Sequence, residues 1–550
     1  MKKYIIMAAL SMAVVPMAAQ DVYDNARMLG YDLNGTARYV GMGGALEALG
    51  ADLSTISTNP AGIGMFRHST ASLSFGLVSQ QGVKKFDNLG KTNMSFDQIG
   101  FVYSNRTGES SYINFAFNYH KSKNFDQILS ATNRLGQSSA NNLVYIKDAI
   151  GTSVNGGYYL DLNKQGSWMG WRNNNSDQIA NSFTQFDEMY ANAYTMDTKT
   201  DPNSAFAVSE VADDFYFDRS HRGWIADYDF NLSGNVNNRF FWGLTIGLHN
   251  MKYHGYSYYD EGYYFVNNQT GEEQTVSLSL EDERWIDATG ADIKAGVIFL
   301  PIDDSPFRVG LSVATPTWYS VKSENVSKLH NDLYAGGYNN WGLTSYTMPS
   351  TIYEFKYYTP WKFGLSLGHT IEDYLALGAS YEYTSMGSAS TRAYNGRYNY
   401  YDQEQTDPDY AMNSLNEHNL KGVSLLKVGA EFKPDPAMSV RLGYNFQSAM
   451  YNDNAVKDTS IDSPSNAYVS TADYTNWKAT NRITCGLGYK IDHLSLDLAY
   501  QYSVTSGTFY PFQSNLSFVQ DDGTKFTNVA TATDVNFKCH QVLFTIGYTF

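Results

Sequence analysis

The chain has 550 residues, among them 44 Tyr, 30 Phe, 9 Trp and 45 Gly against only 13 Pro, and its net charge is −16. That acidity argues against nucleic acid as a partner, because phosphate binding needs a basic surface, and two cysteines, Cys485 and Cys539, exclude a disulfide framework. With a mean hydropathy of −0.38 and no later stretch near the roughly 18 apolar residues of a membrane helix, a helical membrane protein is excluded, but a membrane β-barrel with aromatic girdles is not.

Residues 1–19 read as a secretory signal. Lys2 and Lys3 precede an apolar stretch over 4–15, and Ala18-Ala19 offers a small-residue exit, so cleavage is expected near Ala19. No Cys follows that stretch, so no lipid anchor is expected there. Residues 20–68 are not strand-like. Tyr39, Met42, Leu46 and Leu49 recur at helical spacing through 36–49, Gly50 ends that helix, Asp52 caps a second short one and Asn59-Pro60 closes it.

From residue 69 the pattern changes to period two. At the C-terminus Val542, Phe544, Ile546, Tyr548 and Phe550 share one face, while Gln541, Leu543, Thr545, Gly547 and Thr549 share the other. Such a strand of about ten residues has the length of a tilted membrane strand. Fourteen strands of this kind are predicted, starting near Ser69, Met94, Ser111, Arg222, Asn238, Asp287, Pro306, Trp361, Tyr374, Val423, Met438, Thr480, His493 and His540. Their connections alternate. The short ones are 106–110, 234–237, 301–305, 371–373, 433–437 and 490–492; the long ones are 81–93, 121–221, 253–286, 317–360, 385–422, 448–479 and 503–539. Strict short–long parity is the mark of an outer-membrane barrel. The prediction is therefore all-β: a 14-stranded antiparallel transmembrane β-barrel over 69–550, a small helical plug over 20–68, and a cap in the 121–221 loop with helices near 125–135 and 176–194. Its place would be the outer membrane of a Gram-negative bacterium, in contact with outer-membrane lipid. The strand ending in Phe550 would be read by the barrel-assembly machinery. The two cysteines fall on non-neighbouring strands and are expected to be free thiols.

The stretch from Gly35 to Gly64, GTARYVGMGGALEALGADLSTISTNPAGIG, resembles the N-terminal hatch of the outer-membrane long-chain fatty-acid and hydrocarbon transporters, the FadL/TodX type. The resemblance rests on Ala37-Arg38-Tyr39, on Gly41, Gly43 and Gly44, on Asp52, and above all on Asn59-Pro60-Ala61. Echoes follow at Gly310-Leu311, Leu377-Gly378 and Leu442-Gly443. It implies a hatch that plugs the barrel from the periplasmic side and passive uptake of a hydrophobic small molecule, without a cofactor. In the family a kink in the third strand opens a side exit. Residues 112–120 contain no Gly or Pro, so the sequence carries no sign of one.

With apolar faces outward, Arg239, Lys294, Arg308, Lys362, Lys427, Arg441 and Arg482 fall on the lumen side, as do Asp227, Asp229, Asp292, Glu382, Glu431 and Asp497. Arg239, Arg308, Arg441 and Arg482 are the candidates to hold an acidic ligand. The alternative is that these charges pair with one another and with Arg38 on the plug. Tyr-rich runs at 256–264 and 394–401 suit capture of an apolar compound or a rim role. The run Gly364-Leu365-Ser366-Leu367-Gly368 matches a nucleophile elbow, but it lies inside a predicted strand rather than at a strand–turn–helix joint. His68, His120, His221, His249 and His540 read as rings at strand ends, with no metal spacing. No catalytic residue and no metal ligand is assigned. Two other readings stay open: a polar-solute porin, and a surface structural or adhesive protein.

Overall fold

The computed structural model describes residues 21–153, 158–162, 169–173, 182–196, 206–207, 209, 211–266, 271–332, 345–520 and 522–550. The expected signal peptide and residues 176–181 of the second expected loop helix lie outside the described residues.

The strands form one closed antiparallel barrel. They are β1 (Thr70–Gln80), β2 (Thr92–Arg106), β3 (Tyr112–Asn124), β4 (Gln127–Ser138), β5 (Ala212–Val236), β6 (Phe240–Val266), β7 (Glu273–Phe299), β8 (Arg308–Ala314) and β9 (Trp318–Asn331). There follow β10 (Ser345–Tyr358), β11 (Lys362–Ile371), β12 (Leu375–Ser385), β13 (Ser390–Tyr398), β14 (Gly422–Asp435), β15 (Met438–Gln447), β16 (Tyr474–Ile491), β17 (Leu494–Tyr510) and β18 (Thr533–Thr549). Four staves are each made of two consecutive strands: β3 with β4, β8 with β9, β10 with β11, and β12 with β13. The wall therefore has 14 staves. It closes where β1 pairs with β18, Thr70 opposite Thr549 and Gln80 opposite Cys539. Closure leaves no edge for the bilayer to expose.

Alternation sorts the two faces as predicted. Phe115, Phe230, Leu244, Ile246, Leu365, Leu442 and Leu487 are exposed on the outside, where lipid would cover them. Asn118, Asp229, Thr245, Lys427 and Thr484 are buried on the inside. Gly364 to Gly368 run along β11, with Ser366 buried in mid-strand. Cys485 and Cys539 are both free, on β16 and β18, with β17 between them.

The long connections are corrected by the structure. Much of 253–286 is not loop. β6 and β7 run on through Tyr253 opposite Ile286 to Val266 opposite Glu273. Residues 125–135 are not helical but belong largely to β4, which pairs with β5. The helices within 121–221 are α3 (Ala140–Ser153), where none was expected, and α4 (Gln185–Tyr194), which lies inside the second expected helix over 176–194. The physical reason is that a strand beyond the membrane no longer needs an apolar outer face. In 253–264 Tyr253, Tyr259 and Tyr263 point inward, while Tyr256, Tyr258 and Tyr264 point outward, so period two vanishes from the composition although the strand continues.

These extensions and helices enclose a second core at the long-connection end. Leu143, Val144, Phe186, Met189 and Tyr190 pack against Phe215, Phe217, Tyr259, Tyr263, Leu278 and Phe509. Glu261 is buried within it. Its carboxyl accepts from the Tyr259 and Tyr263 hydroxyls, 2.7 Å each, and from the Ala140 N–H at the start of α3, 2.6 Å. Burial pushes the Glu261 carboxyl up to about 7, although all three donors oppose the shift.

Candidate functional site

Residues 21–67 occupy the lumen from one end to the other. At the long-connection end α1 (Val22–Arg27) begins after Asp21, whose carboxylate accepts from the Asp24 N–H. Asp24 pairs with Arg284 of β7, Asp21 with Lys457 at 2.8 Å, and the Tyr23 hydroxyl with Asn476 at 2.7 Å. The Tyr23 ring stacks on Tyr451, with centroids 5.0 Å apart. The chain then descends to α2 (Ala37–Gly41), which is shorter than the helix predicted over 36–49 because Gly43 and Gly44 adopt positive φ. Thr36 caps α2, and the Thr36 hydroxyl donates to Asp52, 2.8 Å. Asp52 also accepts from the Ser54 N–H and so caps the turn Leu53–Ser57 as expected. Asn59 serves both turns: its N–H donates to the Thr55 carbonyl, 2.9 Å, and closes the first as expected, while its side chain accepts from the Ala61 N–H and opens the turn Pro60–Met65.

This lower part lies directly on wall glycines. A Cβ on Gly443 would stand 2.2 Å from the Gly43 nitrogen, one on Gly429 2.2 Å from the Met42 oxygen, and one on Gly378 1.9 Å from the Ala45 oxygen. On the other side a Cβ on Gly243 would meet the Pro60 backbone at 2.3 Å, and one on Gly296 the Asn59 side chain at 2.0 Å. Nearly every contact is backbone, so only glycine lets the segment approach. Sequence reasoning noted Gly310, Gly378 and Gly443 as echoes but missed their purpose. The signal was there: lumen-facing glycines recur at matching height on neighbouring strands, Gly243 opposite Gly296, and Gly368, Gly378, Gly429 and Gly443 in one row.

Charge fixes the same part. Arg38 Nε lies 3.1 Å from Glu431, and Glu431 also takes Arg441 Nε at 2.6 Å. Arg441 in turn reaches Asp497 at 2.6 Å. Glu47 pairs with Lys427 at 2.6 Å and accepts from the Ser380 hydroxyl at 2.7 Å; Lys427 and Tyr31 both bind Glu382. Thus the four candidate cations separate. Arg441 is held between two carboxylates. Arg308 donates to the Leu49 carbonyl, 2.8 Å. Arg239 is corrected: it is exposed at the short-turn rim and pairs with Asp303 of the neighbouring turn at 2.5 Å, because β6 starts only at Phe240. Arg482 alone of the four lines the main cavity. It donates to Asn445 at 2.9 Å and Gln447 at 3.3 Å, and its nearest carboxylate, Asp32, is 3.8 Å away.

That cavity, of about 330 Å³, lies above the glycine-seated part. Its apolar lining includes Tyr23, Leu29, Phe125, Tyr253, Met386, Met450, Tyr451, Tyr474, Trp477 and Phe537; Lys123 and Lys478 join Arg482 as cations on it, as do Arg27, Arg219, Arg284 and Lys457, each of these four paired with a carboxylate. It reaches the wall at Ser95, Asp97, Lys123 and Asn124. There the barrel is irregular in a way the sequence did not signal. The β2–β3 ladder runs from Arg106 opposite Tyr112 only as far as Gln98 opposite His120. β3 then shifts register against β5 between Lys121 and Lys123, and Asp97 is bulged out of the β1–β2 ladder. Residues 92–96 of β2 pair with β1 alone among the described residues. These irregularities arise in stretches without Gly or Pro. Asn34 spans this break. Its amide donates to Asp97 at 3.0 Å and to the Lys121 carbonyl at 2.9 Å, and its oxygen accepts from Gln541 at 3.2 Å.

His120 and His249 are not interfacial rings at strand ends, as predicted, but are buried in the lumen among Asp227, Asp229 and Asp292. The exposed Tyr398, Tyr400 and Tyr401 sit on the hairpin that follows β13.

No protein-family model matches the chain, and comparison with curated proteins finds no match. Among solved structures the chain is similar to a FadL homologue of Pseudomonas aeruginosa, with 13% identity over 95% of this chain and 100% of that one, TM-score 0.45. It is also similar to the toluene transporters TbuX of Ralstonia pickettii (11%, 94% and 99%, TM-score 0.44) and TodX of Pseudomonas putida (11%, 94% and 99%, TM-score 0.43).

Proposed function

We propose that the protein is an outer-membrane channel for passive uptake of hydrophobic small molecules, with residues 20–68 as its plug and the long-connection end facing the medium. One observation carries this reading. The lumen is crossed by its own N-terminal segment, and the space left above that segment is a slot lined by aromatic and methionine side chains together with charges that pair with one another, among them Arg284 with Asp24, Lys457 with Asp21 and Arg219 with Asp473. Volumes near 300 Å³ suit a small apolar ligand. Arg482, with amides rather than a close carboxylate around it, is placed to take an acid head group, so a long-chain fatty acid or similar amphiphile is the substrate class favoured. The break between β2 and β3, bridged by Asn34, supports exit sideways into the membrane. The exposed tyrosines beyond β13 would make the first contact.

The test is mass spectrometry of small molecules released from the folded, detergent-purified protein, together with its conductance in a planar bilayer. A transporter should give one defined apolar species near one per chain and almost no ion current. Arg482→Gln should reduce the acid-bearing fraction about ten-fold, the value of a charged hydrogen bond. A steady porin-like current with no bound species would instead identify a polar-solute porin.

A further inference from the structure

One polar cluster in the lumen is not used by the plug. On β5, β6 and β7, Asp229, Gly247 and Asp292 stand side by side, with Asp227 opposite His249 one pair further along. Gly247 makes the room: a Cβ there would meet Asp292 at 2.4 Å, Lys294 at 2.9 Å and Asp229 at 3.0 Å. Lys294 takes Asp229 Oδ1 at 2.8 Å and Asp292 Oδ1 at 3.3 Å. His249 lies between Asp227 Oδ1 at 2.7 Å and Asp292 Oδ2 at 3.1 Å. Ser122 adds a hydrogen bond to Asp227 Oδ1, 2.9 Å, and Thr317 one to Asp292 Oδ2, 3.3 Å.

Two carboxylate oxygens remain, and both face His120. Asp227 Oδ2 is 3.7 Å from one of its ring nitrogens and Asp229 Oδ2 is 3.6 Å from the other. These are too long for hydrogen bonds, which close at about 2.7–3.2 Å. Asp229 is fully buried, and its Oδ2 has no hydrogen-bond partner among the described residues. A buried carboxylate oxygen left bare beside an imidazole costs stability unless something positive joins it. Taking one atom from each of His120, Asp227 and Asp229, the three lie within 4.8 Å of one another. Ligands about 2.0–2.1 Å from a tetrahedral zinc ion stand roughly 3.3–3.5 Å apart, and the ion takes one ring nitrogen; with the Asn118 amide 3.5 Å from Nδ1, Nε2 is the nitrogen for it, and a shift of up to about 1.4 Å would gather the three.

The geometry points to a divalent transition-metal site in the lumen wall, of the zinc class, ligated by His120, Asp227 and Asp229. An imidazole with two carboxylates suits zinc better than calcium or magnesium, which take oxygen alone. Asp227 would be oriented by His249 and Ser122, and Asp229 by Lys294. The place is informative. His120 is the last residue of the β2–β3 ladder, immediately before the register shift in β3. A metal there ties β3 to β5 beside the wall break, so it would hold β3 against β5 where β3 loses its partner on β2.

The experiment uses the untagged full-length chain folded in detergent. It is equilibrated with Zn²⁺, freed of excess metal by gel filtration and assayed by inductively coupled plasma mass spectrometry. One zinc per chain is expected, with affinity falling about ten-fold or more in His120→Ala and in Asp229→Asn. Zinc at background in the wild-type chain, or one zinc per chain retained with unchanged affinity in both variants, overturns the site. Should either variant fail to form a heat-modifiable barrel, the wild-type chain decides. Cobalt substitution should give the visible absorption of an imidazole–carboxylate complex, displaced by zinc, and a cobalt spectrum no different from hexaaquo cobalt overturns the proposal.

Discussion

The two halves of the lumen hold the same segment by different means. At the short-turn end, residues 41–64 touch wall glycines backbone to backbone, and Arg38 and Glu47 enter ion networks whose members are all paired. At the long-connection end, α1 and the residues after it are held by side chains around a cavity, and Arg482 and Asp32 approach only to 3.8 Å. Backbone contacts on glycine cannot be adjusted by changing rotamers, whereas aromatic and methionine side chains can repack around a guest. A fixed closure below and an adjustable slot above is what a selective plugged channel requires.

The largest expected effect removes the charge on which the lower closure turns. Glu431→Gln leaves Arg38 and Arg441 close together with Asp497 as their remaining carboxylate. Breaking a buried pair in this way costs about 3–5 kcal/mol. The plug should leave the wall, so the bilayer current should rise from near silence to a porin-like level while the barrel still migrates as folded. Unchanged current would mean that the glycine seat suffices alone.

The cap tests whether the outer region is a separate, softer unit. In the folded state Glu261 keeps its proton up to about 7, against the ordinary carboxyl value of 4.5 when unfolded. Between those values the folded form binds more protons than the unfolded one, so stability falls as pH rises. The whole effect is roughly 3 kcal/mol. Hydrogen exchange of α3 should therefore accelerate from pH 5 to pH 8 beyond the intrinsic chemical rate. Glu261→Gln should abolish that excess and leave the residues on the glycine seat untouched. The same excess in the variant would assign the pH response to another group.

Much of this architecture was legible in the sequence, for a physical reason. Inside the bilayer each strand must be apolar outward and small or polar inward, so the existence of all fourteen staves and the six short turns could be read directly, whereas starts at the long-connection end were placed late, at Arg222 for Ala212 and at Asp287 for Glu273. Beyond the bilayer that demand lapses, and the outer runs of β6 and β7 passed for loop. The Asn59-Pro60-Ala61 stretch and Arg38 stood out by residue type, and Glu431 and Asp497 by lumen parity. Their pairing, and the burial of His120 and His249 against Asp227, depends on which strands become neighbours around a closed wall and at what stagger. Period two does not encode that.

Gly443→Ala sharpens the comparison from the backbone side. The added methyl would lie 2.2 Å from the Gly43 nitrogen, and overpacking of this kind costs about 1–3 kcal/mol. Because the atom it meets is backbone, no rotamer change relieves it. A measurable current at moderate voltage is expected, smaller than for Glu431→Gln, whereas alanine at Gly396, which has open space around its Cβ position, should change nothing in the current.

The smallest effect is expected at Asn34, and it separates the side exit from the vertical path. Asn34 contributes three hydrogen bonds, two across the β2–β3 break to Asp97 and the Lys121 carbonyl and one to Gln541 of β18. Each is worth about 1 kcal/mol net. Asn34→Ala removes all three but leaves the glycine seat and the Arg38–Glu431 pair intact, so ion current should stay near silent. Loss of the bridge should instead free the unpaired edge of residues 92–97 and speed release of bound ligand to lipid vesicles by several-fold, followed as transfer of a fluorescent fatty acid. If current rises with transfer, the cavity drains through the plug and the break in the wall is structural only. If transfer rises alone, the ligand leaves between β2 and β3, and the plug can stay seated during transport.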